Sequence, residues 1–150
     1  ICLGAQQIAR VIGARVGPHP DGVVEIGYWE VSPTEAGQSF LSRPTMFYQW
    51  HSETFEIPDG AIHLASSGPF PGQAYIYNDR VFGIAFHPEM TRQMIDRWSS
   101  SETGSKKLSL CGAQQRDEQL ENHNRFAKDS QIWLDCFLDN IFLSRLTIVD

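Results

Sequence analysis

The chain of 150 residues is 41% hydrophobic and 11% aromatic, enough to bury a substantial core as one globular domain. Its formal net charge of -6 disfavours a nucleic-acid partner, because phosphate binding needs clustered Lys and Arg, and Lys106-Lys107 is the only adjacent basic pair. Its 3 cysteines, at positions 2, 111 and 136, form neither a disulfide framework nor a C-x-x-C metal pattern, and no run of about 18 or more apolar residues occurs, so the expectation is a reducing cytoplasm and no membrane partner.

The sequence opens at Ile1 without methionine, and the first chemically suggestive residue is already the second; an N-terminal portion is expected upstream. Leu3 to Ala14 carries Leu3, Ile8, Val11 and Ile12 at near-helical spacing, with Gly13 and Gly17 where the helix should stop. Val23 to Val31 mixes β-branched and aromatic residues between the turn signals Pro20-Asp21-Gly22 and Ser32-Pro33, the pattern of a strand. Thr45 to His51 reads the same way, followed by a turn at Ile57 to Gly60 and a strand at Ala61 to Ser66. Gln73 to Tyr77 and Arg80 to Phe86 suggest a hairpin through Asn78-Asp79.

Beyond His87-Pro88, Met90 to Trp98 reads as a helix with Met90, Met94, Ile95 and Trp98 on one side. Ser99 to Ser109 is polar and Ser-rich, the composition of a linker or loop. Residues 110–150 read as a C-terminal helical segment, in which Leu120 to Leu146 can bring Phe126, Trp133, Phe137, Leu138 and Ile141 onto a broad face. Strands mixed with flanking helices argue an α/β layered fold.

A cysteine directly ahead of a helix meets free N–H groups and the positive end of the helix dipole, which suit a negatively charged sulfur. Cys2 is therefore a candidate nucleophile, with the N–H of Leu3 facing a developing oxyanion and Gly4 relieving the crowding of a sharp turn. The plainer reading of Cys2 and Gly4 is a small buried cysteine beside a packing glycine. Phe86-His87-Pro88-Glu89 follows a strand, and Pro88 biases His87 toward extended backbone, so that His87 and Glu89 can project to one side. A carboxylate there would orient the imidazole and stabilise the imidazolium. The plainer reading is a turn.

Ile1-Cys2-Leu3-Gly4-Ala5-Gln6 resembles the G-x-C-x-G-x-Q nucleophile elbow of class I glutamine amidotransferases, and Gly83 to Glu89 resembles their G-x-Q-F-H-P-E segment, in the family's order. Between them, Gln49 to Phe55, Pro58 and Leu64-Ala65-Ser66 resemble the Q-W-H-x-D-x-F, P and L-A-S stretch of stand-alone members related to the GMP synthase amidotransferase domain, as does Val16 to Trp29. Ala85 stands where the family has glutamine and Glu53 where it has aspartate. The glycine ahead of the elbow, and the loop that gives the family its second oxyanion N–H, would precede Ile1. Residues 99–150 match no family motif.

The resemblance implies a three-layer flavodoxin-like α/β sheet with flanking helices, N-terminally truncated, of which residues 1–150 form the C-terminal part. It implies that Cys2 attacks the side-chain amide of glutamine, with His87 as acid and base and Glu89 as its orienter. Gly4, Gln6, His51 and Ser52 would be substrate-binding, Gln6 through its side chain and His51 and Ser52 through backbone at the substrate's amino-acid end. For Gln6 the alternative is a solvent-facing helix residue, and for His51 and Ser52 a strand-end turn. Ammonia would pass to a synthetase domain or subunit, with no cofactor. A γ-glutamyl peptidase and a non-catalytic amidotransferase-like module are the alternatives. Cys111 and Cys136 lack an adjacent base, His19, His63 and His123 lack zinc-ligand spacing, and no P-loop motif is present, so neither a metal site nor ATP binding is expected.

Overall fold

Helix α1, Leu3–Val11, begins one residue after Cys2 and is followed by Gly13 in the left-handed region at φ 98°. The face it buries is not the larger apolar one. Leu3 and Val11 are 63% and 85% exposed, while Ala5, Gln6 and Ala9 are buried. Phe55, Tyr75 and Ala85 approach so closely that only small side chains fit between helix and sheet. In the computed structural model the described residues are 1–143.

The main sheet has five strands in the order β3-β2-β5-β6-β7, formed by β2 (Glu25–Pro33), β3 (Thr45–His51), β5 (Ala61–Ser66), β6 (Ala74–Tyr77) and β7 (Val81–Ile84). Strands β1 (Val16–Pro18) and β4 (Glu53–Phe55), not anticipated from the sequence, make a separate two-stranded ribbon. Every paired strand runs antiparallel to its neighbour. The β6–β7 loop has three residues, Asn78 to Arg80, and places Asn78 and Asp79 at φ 49° and 56°, the left-handed region that asparagine and aspartate tolerate better than most residues.

The sheet curls. Strands β2 and β3 pair from Glu25–His51 to Val31–Thr45, whereas β2 meets β5 only at Ser32–Ser66 and Pro33–Ala65. Beyond β7 the chain swings back to β3 at the other edge of the sheet, where the His87 N–H donates to the Tyr48 carbonyl at 2.8 Å. This closure is what brings the end of β7 across to the centre of β3.

Helices flank the sheet, giving the mixed α/β architecture the sequence implied. Helix α2, Arg92–Ser100, starts at Thr91, whose hydroxyl accepts the Met94 N–H at 3.3 Å. Met90, Met94, Ile95 and Trp98 pack with Tyr28 and Tyr48 as its spacing predicts. The stretch expected to be a loop instead contains helix α3, Glu102–Lys107. Ser101 caps it by accepting from Gly104, and Lys106 pairs with Glu102 at 2.9 Å, so local polar bonds supply what the composition lacks in apolar periodicity.

Helix α4, Arg116–Cys136, begins earlier than the apolar pattern suggests and runs into a π-helical turn, Phe137–Phe142. Trp133, Phe137 and Ile141 join the main core with Phe40, Phe47 and Phe86, and Phe126 lies on Tyr28. Leu138 departs from the expected shared face, being 39% exposed, since it follows Phe137 by one residue and so lies about 100° further round the helix. The last residues of the expected helix, 144–146, lie outside the described residues.

Candidate active site

Cys2 occupies φ 45°, ψ -108°, a conformation that costs a non-glycine residue about 1–3 kcal/mol and persists only where surroundings enforce it. They do so from both sides. Its N–H donates to the Ile84 carbonyl at the end of β7 at 2.7 Å, and its carbonyl accepts the Gln6 N–H inside α1 at 3.0 Å. The side chain makes no capping hydrogen bond to its own helix. Leu3 follows as the first helical residue, whose N–H has no acceptor within the helix.

His87 is held by three contacts. Its backbone is fixed on Tyr48, its ring packs edge-on against Trp98 at 5.5 Å, and its Nδ1 lies 2.7 Å from Oε1 of Glu89. With Nδ1 engaged, Nε2 is the nitrogen available to Cys2. Burial pulls the His87 pKa down, but hydrogen bonds to Cys2 and Glu89 and the electrostatic pull of both outweigh it and raise the value to about 9. Burial likewise opposes ionisation of Glu89, yet the His87 hydrogen bond and charge hold its carboxyl below the ordinary value. Two segments distant in sequence thus converge: a strained cysteine at a helix start and a histidine with its carboxylate at a strand end.

Gln6 is not a solvent-facing helix residue. It is buried, and its Nε2 donates to the Glu53 carbonyl at 2.9 Å, joining α1 to the β3–β4 connection that contains Ser52. His51 is also buried, opposite Glu25 across the β2–β3 pair. Gly4 corrects the sequence argument: a Cβ added there would meet nothing within 4 Å, so within the described residues no crowding requires glycine. Glu25 is not among the sequence-derived candidates. Its signal is a carboxylate between Val24 and Ile26 in a stretch where all three are buried.

Cys111 and Cys136 are exposed and apart from this cluster. Each remaining histidine has its own partner: His19 accepts from Asp21 N–H at 3.2 Å, His63 meets the carbonyls of Ala65 and Pro71, and His123 meets the Tyr28 hydroxyl at 2.7 Å. A cavity of about 580 Å³ beside β1 and β4 is lined by Arg15, His19, Thr54 and Glu56, and by neither Cys2 nor His87. Convergent polar chemistry, not cavity size, marks the candidate site. Among the described residues no helix is long and apolar enough to cross a membrane.

Solved structures similar to this fold include glutamine amidotransferases, and in sequence the chain is similar to glutamine amidotransferase-like proteins. A crystal structure of a glutamine amidotransferase from Methylobacillus flagellatus superposes with a TM-score of 0.79 at 27% identity, covering 88% of this chain and 56% of that one. In sequence the chain is 33% identical over 101 residues to the glutamine amidotransferase-like protein YfeJ of Salmonella typhimurium, covering 64% of this chain and 41% of that protein. It is 34% identical over 94 residues to a glutamine-hydrolysing GMP synthase subunit of Sulfolobus acidocaldarius, covering 60% of this chain and 49% of that protein. The chain therefore spans about half the length of such relatives. No family model matches it.

Proposed function

We propose that the domain hydrolyses glutamine to glutamate and ammonia through a glutamyl thioester on Cys2. The Cys2 sulfur attacks the side-chain amide carbon, its proton passing to Nε2 of His87, and the carbonyl electron pair moves onto oxygen to give a tetrahedral oxyanion facing the Leu3 N–H. As the oxyanion collapses, the C–N bond breaks and His87 returns the proton to the departing ammonia. Water, deprotonated by His87, then adds to the thioester and releases glutamate. Glu89 fixes the ring through Nδ1 and stabilises the imidazolium in both steps.

The observation that carries this reading is the meeting of strained Cys2 with His87, whose other ring nitrogen is held by Glu89 at 2.7 Å. Gln6 and the His51–Glu53 turn, tied to each other through the Glu53 carbonyl, would hold the amino-acid end of the substrate. The likeness to a GMP synthase subunit supports an ammonia acceptor in a separate synthetase subunit or domain.

The test is glutamate and ammonia release from glutamine by the wild-type protein and by Cys2→Ser, with mass spectrometry of the quenched enzyme for a glutamyl adduct. Release and adduct are expected in the wild type and neither in the variant. Turnover that survives Cys2→Ser sinks the nucleophile assignment, and turnover confined to γ-glutamyl dipeptides replaces the amidotransferase reading with a peptidase.

A further inference from the structure

Beside the candidate site lies a fully buried carboxylate that the proposed chemistry does not use. Glu25 is 0% exposed, and three donors converge on it from three separate segments. Ser67, in the connection after β5, donates its hydroxyl to Oε1. Gln73, just ahead of β6, donates Nε2 to Oε2 at 2.6 Å, and His51, at the end of β3, brings Nε2 to the same oxygen at 3.1 Å. Gln49 ties two of these together, donating to Gln73 Oε1 at 2.8 Å and meeting His51 Nε2 with its own Oε1 at 3.0 Å.

Both neighbours of His51 Nε2 are acceptor oxygens, so that nitrogen carries a hydrogen. Nδ1 is buried with no hydrogen-bond partner among the described residues, so the polar anchorage of the ring runs through Nε2 alone. The ring edge that remains packs on Phe70 at 5.0 Å. Burying a carboxylate is costly, and apolar residues of similar size would fill the same space at less expense. Its retention calls for a reason other than stability.

The connections of the network supply one. His51 leads directly into Ser52 and Glu53, and the Glu53 carbonyl receives the Gln6 side chain from the helix headed by Cys2. Gln73 accepts the Ala85 N–H at 2.8 Å, two residues ahead of His87 and next to Ile84, which receives the Cys2 N–H. We propose that Glu25 is a positioning residue: through His51 it fixes the His51–Glu53 turn that holds the substrate, and through Gln73 it locks that turn to the strand end carrying His87. This rests on the glutamine-hydrolysing reading of the site. Glu25 touches no reacting atom; it sets the geometry in which ground-state substrate is bound.

The experiment compares wild type with Glu25→Gln, which keeps the shape and one acceptor oxygen, and with Glu25→Ala. Steady-state kinetics with glutamine are expected to show KM raised about tenfold or more in Glu25→Ala with kcat within about threefold, and a smaller rise in Glu25→Gln, the pattern of lost ground-state binding. Amide NMR of the same proteins is expected to move Ser52, Glu53 and Ala85 while the α3 amides stay in place. A lowered melting temperature with KM unchanged, or a loss confined to kcat, overturns the proposal. So do unmoved Ser52, Glu53 and Ala85 amides. If Glu25→Ala does not fold, Glu25→Gln decides by the same two measurements. A wild type inactive on glutamine refutes the glutaminase reading by itself, and the amide shifts then decide separately whether Glu25 holds the turn.

Discussion

Nδ1 of His87 lies 2.7 Å from Oε1 of Glu89, two residues on, across a turn in which the Met90 N–H donates to the His87 carbonyl at 3.4 Å. The pair makes stability and protonation pH-dependent in a defined direction. The folded His87 pKa is raised, from the ordinary 6.5 to about 9, so its stabilisation is fully present below about 6.5 and is lost as pH rises through about 9. Glu89→Gln is expected to lower the midpoint of the His87 ring-proton NMR titration. The difference in melting temperature between wild type and variant should shrink as pH rises through that window. A midpoint unmoved by the substitution would assign the raised value to Cys2 alone.

Cys2 at φ 45° predicts an inverted order of small-residue variants. Glycine adopts this conformation without the Cβ penalty, so Cys2→Gly is expected to be more stable than Cys2→Ala by about 1 kcal/mol, although glycine loses more backbone entropy on folding. Denaturant unfolding of the two variants measures it. Equal stability, or alanine ahead, would mean that the turn relaxes when the sulfur is removed.

Much of this site was legible in the sequence because its parts are local. Cysteine followed by a helix pattern, and histidine and glutamate flanking a proline at a strand end, each specify their own geometry over a few residues. Strands β3 and β5 match their expected bounds because turn residues bracket them. What was not legible depends on long-range contact. Of Leu3, Ile8, Val11 and Ile12, the apolar residues at helical spacing through α1 and its C-cap, only Ile12 packs on the sheet-side cluster, where the tight approach of Tyr75 and Phe55 selects Ala5 and Ala9. Helix α3 rests on a serine cap in a polar run that reads as a loop. The donors gathered around Glu25 come from segments that only the curl of the sheet brings together.

Gly83 and Tyr75 sit opposite each other in the β6–β7 pair, and the Tyr75 ring lies over Gly83 to donate its hydroxyl to the Ala5 carbonyl of α1 at 2.9 Å. A Cβ at Gly83 would collide with that ring. Tyr75→Phe removes one hydrogen bond and is expected to cost about 1 kcal/mol. Gly83→Ala must displace the ring from α1 and is expected to cost more, about 1–3 kcal/mol as overpacking does, and to lower turnover, since α1 carries Cys2. Chemical denaturation ranks the two. A Gly83→Ala protein as stable as wild type would show that the ring moves aside freely.

Tyr48 holds the site from the opposite side, with its carbonyl on the His87 N–H and its hydroxyl donating to Oε1 of Gln119 on α4 at 2.7 Å. Both residues are fully buried, and burial, reinforced by neighbouring Tyr28, pushes the Tyr48 hydroxyl pKa upward and so favours its protonated, donating form. Tyr48→Phe leaves the Gln119 oxygen unpaired in the interior, at an expected cost of about 1–3 kcal/mol in unfolding free energy. Gln119 also donates Nε2 to the Gln114 carbonyl at 2.7 Å, so Gln119→Leu, which loses both bonds, is expected to cost more than Tyr48→Phe. Because the His87 contact is made by the Tyr48 backbone, the His87 ring titration in either protein should keep its wild-type midpoint. A shifted midpoint would mean that α4 reaches the site through the Tyr48 side chain and not only through the strand it packs on.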